Sequence, residues 1–201
     1  NRTLGLIRRS YEHLDAASFK ALFTALVRPQ LESCNVAWTP TLQKDKTQIE
    51  RVLRRGTKLI PGFKELPYEE RLKKVGIPSM AYRRARGDMI EVYKYTHGLY
   101  KTKQILELDP DTTRRGHNLK LRKKACRTST RQNFFTYRVV SPWNHLLSKV
   151  VNAPSLNSFK SRLDSAWQEH RYSTNLDYPL PQAKIKSDDE YENCEDQLTG
   201  L

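Results

Sequence analysis

The sequence predicts a mainly α-helical protein: a helical bundle, then a small α+β region with a short basic strand or hairpin, then a disordered acidic tail. Three observations carry that prediction. Through the first hundred positions apolar residues recur at helical spacing, as in Ile49, Val52, Leu53, Leu59 and Ile60. From Thr113 the period changes, and Leu119 and Leu121 alternate with Lys120, Arg122 and Lys124, as in a half-buried strand. Beyond Tyr172 prolines and acids replace the apolar pattern, a composition that cannot bury a core.

Taken in order, Asn1 to Ser10 reads as the end of an amphipathic helix with Leu4 and Ile7 on its apolar side. The absence of an initiator Met there points to a fragment. A second helix starts with Asp15 or Ser18 as N-cap and carries Phe19, Leu22, Phe23 and Leu26 along one face. Arg28-Pro29 should kink or split it, because proline lacks the donor and crowds the preceding turn. Apolar content then runs from Leu31 to Trp38, which is expected to close the end of this core before the Thr39-Pro40 stop. The rib IERVLRRGTKLIP (49–61), beginning near Gln43 to Asp45, buries one face and leaves Arg51, Arg54, Arg55 and Lys58 outside; Pro61 and Gly62 are expected to end it. A short helix from Pro67 to Val75 and a long one from Met80 to Leu99 follow, the latter with Arg83, Arg84 and Arg86 in its first half.

The stretch from Leu99 to Thr113 reads as a linker. The expected organisation is therefore a helical domain over 1–100, a linker over 101–113, a basic subdomain over 114–172 and an acidic tail over 173–201. Phe134 to Val140 fits a second strand, but Phe135, Val139, Trp143 and Leu146 also fit a helical stripe, so its type is left open; Pro142 favours a helix from Ser141. Ser155 to Trp167 closes the chain's apolar pattern as an amphipathic helix with Leu156, Phe159, Leu163 and Trp167 on one side.

The 201 residues and 37% hydrophobic content suffice for one ordinary domain or two small ones. The net charge of +14 is uneven, since the tail from Ser173 holds 2 basic and 7 acidic side chains. A basic body of this kind is drawn to phosphate backbones by counterion release, with an anionic membrane as the weaker rival. No apolar run reaches the length of a membrane span, and no signal peptide opens the chain, so the expectation is a soluble intracellular protein. Cys34, Cys126 and Cys194 are odd in number and far apart, which argues against a disulfide framework. His13, His97, His117, His145 and His170 are not at metal-ligand spacing, and no nucleophile, P-loop or zincin motif is present, so no catalytic residue, metal or cofactor is assigned.

An arginine on a helix is usually a solvated face, but density matters. Between Thr112 and Arg162 there is not one Asp or Glu, whereas Arg114, Arg115, Lys120, Arg122, Lys123, Lys124, Arg127, Arg131, Arg138, Lys149 and Lys160 all fall there. Of these, Arg114, Arg115, Lys120, Arg122, Lys124, Arg127 and Arg131, together with Arg54, Arg55, Lys58, Arg83, Arg84 and Arg86, form the expected nucleic-acid-binding set. In a strand, the comb Lys120, Arg122 and Lys124 would place its charges about 6–7 Å apart on one face, able to follow a phosphate backbone. The bland alternative is an edge strand guarded by charge. Trp38, Phe134, Phe135, Trp143 and Trp167 are more often core than stacking platforms.

Several phrases in this order carry a resemblance: LVRPQLESCNVAW (26–38), IERVLRRGTKLIP (49–61), YEERLKKVGIPSMAYRRARGDMIEVYKYTHG (68–98), RGHNLKL (115–121), RVVSPWNHL (138–146) and VVNAPSLNSFKSRLDSAW (150–167). Over roughly residues 1–170 the chain resembles the C-terminal, post-palm region of reverse transcriptases of LINE-type, jockey-like non-LTR retrotransposons, which are RNA-directed DNA polymerases. The resemblance implies a helical thumb followed by a segment that helps hold RNA template and DNA primer, in the nucleus. It implies no enzyme in this chain alone, because the palm, where the parent polymerase would need Mg2+, lies upstream. Asp188-Asp189 stand in the acidic tail without the hydrophobic strands a palm turn needs, so the metal site is not carried over. The expected partners are RNA, DNA or an RNA–DNA hybrid. The alternatives are a protein–protein interaction module docking on an intact polymerase or another copy of itself, and a decayed element copy with no biochemical role.

Overall fold

A computed structural model describes residues 1–101, 105–110 and 116–173. The acidic tail beyond Ser173, Arg114, Arg115, Cys194 and the Asp188-Asp189 pair lie outside these residues. The described part is mainly helical. Its N-terminal half comprises α1 (Arg2–Ser10), α2 (Ala16–Leu22), a π-helical turn (Phe23–Val27), α3 (Arg28–Glu32), α4 (Gln43–Thr57), α5 (Tyr68–Val75) and α6 (Met80–Thr96). Four short helices follow, α7 (Ser129–Gln132), α8 (Phe135–Arg138), α9 (Val140–Asn144) and α10 (Ser148–Val151), then α11 (Leu156–Ala166) and a 3-10 turn (Gln168–His170).

Local chemistry sets these boundaries. Asp15 caps α2 by accepting from the Ser18 amide at 2.9 Å, Ser79 caps α6 through the Tyr82 amide, and Ser155 caps α11 through the Ser158 amide. Pro29 does not split its helix. The run from α2 to α3 stays helical by widening to a π turn, in which the Arg28 amide bonds the Phe23 carbonyl five residues back, absorbing the mismatch that proline imposes. Gly76 ends α5 in the left-handed region at φ 70°, where a side chain is strained. α4 stops at Thr57, ahead of the expected Pro61-Gly62 exit, and Gly62 at φ 77° serves the following turn instead.

Buried apolar side chains fall into two clusters that meet at the first turn of α6. The first joins Leu4 and Ile7 of α1, Phe19, Phe23, Val27, Leu53, Leu72 and Val75, and ends with Met80. α4 approaches α2 closely at Gly56, where an added Cβ would lie 2.9 Å from the Phe19 ring, so this helical glycine is a packing requirement. The second cluster begins with Tyr82 and continues through Met89, Val92, Trp143, Phe159, Leu163 and Trp167; Leu106, from the expected linker, also belongs to it. Trp38 does not close the first core: it is 45% exposed and lies against Arg84.

The expected basic strand or hairpin is replaced by one antiparallel bridge, Leu108 to Leu121, and the described residues contain no strand. Two backbone bonds flank it, from the Asp109 amide to the Lys120 carbonyl and from the Arg122 amide to the Glu107 carbonyl, each 2.8 Å. Pro110 lacks an N–H to extend that ladder. On the other edge the Asn144 side chain takes both backbone groups of Leu121, accepting from its N–H and donating to its carbonyl at 2.8 Å each. Trp143 Nε1 donates to the Leu119 carbonyl at 2.7 Å, and His117 Nε2 bonds the Trp143 carbonyl at 3.0 Å. The alternation of buried Leu121 with exposed Arg122 thus reflects an extended segment pinned to α9 by side chains. The open 134–140 stretch is helical, as α8 and the start of α9.

The two halves are tied by Arg138. Its guanidinium makes two bonds to the Asp88 carboxylate, at 2.9 and 3.0 Å, with both side chains no more than 5% exposed. It also donates to the carbonyls of Asn35, Val36 and Asn133. Removing the guanidinium leaves a buried carboxylate unpaired and takes a donor from three carbonyls, of which that of Asn35 keeps the Thr39 hydroxyl, so Arg138→Met is expected to cost about 3–5 kcal/mol in urea unfolding. Arg138→Met with Asp88→Leu should recover part of that loss; a single variant as stable as the parent would contradict the assignment.

His117 gives a pH dependence with a definite sign. Burial pushes its pKa below the usual 6.5, against the bond to the Trp143 carbonyl, and Nδ1 is buried with no partner. The unfolded chain therefore binds this proton more readily than the folded one, so the stability linked to His117 is full above about pH 6.5 and is lost as pH falls. Urea midpoints measured from pH 8 to 5 should decline less steeply for His117→Gln than for the parent. An unchanged slope would remove His117 from the account.

Candidate nucleic-acid interface

The first cationic group stands on α4. Leu53 is fully buried on the inner side, and Arg51, Arg54, Arg55 and Lys58 are exposed on the outer side. The inner side is held by a polar cluster. Glu50, 3% exposed, accepts from the Tyr68 hydroxyl at 2.6 Å and from the Met80 amide at 3.0 Å, placing a carboxylate at the N-terminus of α6. Burial drives the Glu50 pKa upward, against the bonds from Tyr68 and Met80 that favour the anion. Buried Arg71 donates to the Arg54 carbonyl and the Thr57 hydroxyl, each at 3.1 Å, and the Arg54 guanidinium lies 4.8 Å over the Tyr68 ring. These contacts fix the backbone that presents Arg54, Arg55 and Lys58.

The α6 arginines have a different fate. Arg83 forms a two-pronged ion pair with Glu32. Arg86 does the same with Asp164, its Nη2 at 2.8 Å from the carboxylate, which also accepts from the Tyr82 hydroxyl at 2.8 Å. Burial would raise the Asp164 pKa, but Arg86 and Tyr82 together hold it below the ordinary range. Arg84 is 8% exposed, donates to the Leu31 carbonyl at 3.1 Å and lies 4.7 Å beneath the Trp38 ring. Burial lowers its pKa, with Asp88 opposing. All three guanidiniums are engaged inside the molecule, so they hold α6 to α3, the Trp38 turn and α11.

The third group is the segment pinned to α9. Arg122, Lys123, Lys124, Arg127 and Arg131 are exposed, while Lys120 is half-buried and has a partner of its own. Lys124 bonds Glu107 at 2.6 Å, both side chains about half-exposed, so this pair is solvated and exchangeable. The Arg131 guanidinium lies 5.5 Å from the Tyr137 ring centroid. The expected binding set leaves out Arg51, although it reads as outside the apolar stripe, and Lys123, which stands beside the comb but off its alternation; Tyr137 is not singled out at all. Among the described residues no group of His, Cys, Asp or Glu could hold a metal ion, and no helix is long and apolar enough to cross a membrane.

Searches against protein-family models, curated proteins and solved structures return no match to this chain.

The two kinds of cation should separate experimentally. Arg86→Ala removes a partly buried charged pair and is expected to lower unfolding stability by about 1–2 kcal/mol, while leaving affinity for a polyanion near that of the parent. Arg55→Ala should do the reverse. Finding that Arg86→Ala abolishes binding in a folded protein would return α6 to the interface.

Proposed function

We propose that this chain is the thumb and C-terminal part of a non-LTR retrotransposon reverse transcriptase, binding template–primer nucleic acid through its phosphate backbone without itself polymerising. The observation that carries it is the exposed run Arg122, Lys123, Lys124, Arg127 and Arg131 on a segment without acids, with Arg54, Arg55 and Lys58 as a second exposed group. The family resemblance over residues 1–170 supports the same assignment. Cations held on pinned backbone meet phosphates by counterion release, and such contacts position a duplex without reading its bases. Metal-dependent chemistry belongs to a palm outside these residues.

A second reading, docking on an intact polymerase or another copy of the chain, is favoured by Leu6, Tyr11, Leu26 and Leu42, which are 44–54% exposed. Light scattering after size exclusion discriminates: a monomer that binds nucleic acid supports the first reading.

Fluorescence anisotropy with a labelled RNA–DNA hybrid tests the proposal. For about six phosphate contacts, log K should fall by roughly 5 per decade of salt. The triple change Arg122→Glu, Lys123→Glu and Arg127→Glu should weaken binding about tenfold or more, and Lys73→Glu with Lys74→Glu on α5 should leave it within about twofold. Salt-independent affinity, or none at low salt, would reject the proposal.

A further inference from the structure

Between the extended segment and the short helices α7 and α8 runs a trough of two adjoining chambers. The larger, about 410 Å³, is lined by Lys123, Lys124, Ala125, Cys126, Gln132, Tyr137 and Val140. The smaller, about 120 Å³, shares Lys124, Tyr137 and Val140 and continues toward Leu106, Leu121 and Glu107. Val140 is 4% exposed and, with the Tyr137 ring, supplies apolar and aromatic surface. Basic groups stand around it: Lys123 and Lys124 on one wall, Arg122 and Arg131 beside the smaller chamber. Among the described lining residues Glu107 is the one acid, and it is already held by Lys124.

We infer that this trough takes single-stranded nucleic acid, with a base against Tyr137 and the flanking phosphates on Lys123, Lys124 and Arg131. The inference rests on the nucleic-acid reading above and adds strand selectivity to it. A concave site of this volume is in the range of small-ligand pockets, about 300–1,000 Å³. A base has a flat face for an aromatic ring, and a cation around the same ring suits the adjoining phosphate. Arg131, already over Tyr137, joins the two functions at one point. A duplex keeps its bases paired and stacked, so it offers the trough phosphates alone. The exposed cations then serve both duplex and single strand, whereas the chamber floor distinguishes them. An acidic peptide would satisfy the charges but would not require the ring.

The test uses the full chain at one moderate salt concentration with three labelled probes: oligouridylate, an abasic strand of equal length and a duplex RNA. The parent should bind oligouridylate about tenfold more tightly than the abasic strand. Tyr137→Ala should abolish that preference while leaving duplex affinity unchanged, and Tyr137→Phe should retain it. Ala125→Leu with Gln132→Leu, both at exposed positions lining the larger chamber, narrows it with side chains that cannot stack on a base and should also abolish it, which decides the matter if Tyr137→Ala fails to fold. Equal affinity of the parent for the base-bearing and abasic strands, or a preference that survives the Ala125→Leu, Gln132→Leu change, would overturn the inference while leaving backbone binding intact. Failure to bind any of the three probes at low salt would overturn the nucleic-acid reading itself.

Discussion

The Arg138 guanidinium is where the chain's two cores become one structure. Its five hydrogen bonds are divided between the Asp88 carboxylate on α6 and carbonyls contributed by the turn after α3 and by the α7–α8 junction. A charge this deeply buried is tolerated because a carboxylate and three carbonyls face the planar fork. The consequence reaches the surface. With α8 fixed against α6, α9 presents Trp143 and Asn144 to the extended segment, and that segment holds Arg122 to Arg127 outward.

The same chemistry explains why a cation-rich sequence gives fewer free cations than its composition implies. Arg83, Arg84 and Arg86 stand together on one helix, but their partners Glu32, Leu31 with Trp38, and Asp164 come from segments roughly 45 to 80 positions away. Guanidinium groups hold such geometry well because they are planar, always charged and able to bond two acceptors at once. On α4 the buried Glu50 is taken up by Tyr68 and the Met80 amide, and among the described residues the acid paired with the 122–131 segment is Glu107, so the outward positive charge there faces solvent.

Much of the helical order was legible from spacing and caps. Asp15 is one of two N-cap candidates for α2, spacing places the starts of the helices at Met80 and Ser155, and the α4 stripe separates Leu53 from Arg54 and Arg55 on sequence alone. Three features were not legible, each for a long-range reason. The π turn before Pro29 depends on continuous packing of Phe23 and Val27, which lets the helix widen rather than break. The alternation at 119–124 narrows to buried Leu121 beside exposed Arg122, and Asn144 supplies by side chain the backbone bonds a second strand would have made. Trp38 looked like a core residue because nothing local announces that Arg84 lies beneath it. Of the candidate site, the density of charge was visible in the sequence, whereas its division into engaged and exposed groups required the fold.

The central claim is spatial: nucleic acid lies on the α4 face and the α9-pinned segment. Lysine footprinting by acetylation and mass spectrometry reads this directly, in the presence and absence of an RNA–DNA hybrid. Lys58, Lys123 and Lys124 should be protected when the hybrid is bound, and Lys20, Lys73 and Lys74 should react as in the free protein. Protection confined to Lys73 and Lys74, or none at any lysine while the hybrid is demonstrably bound, would contradict the account.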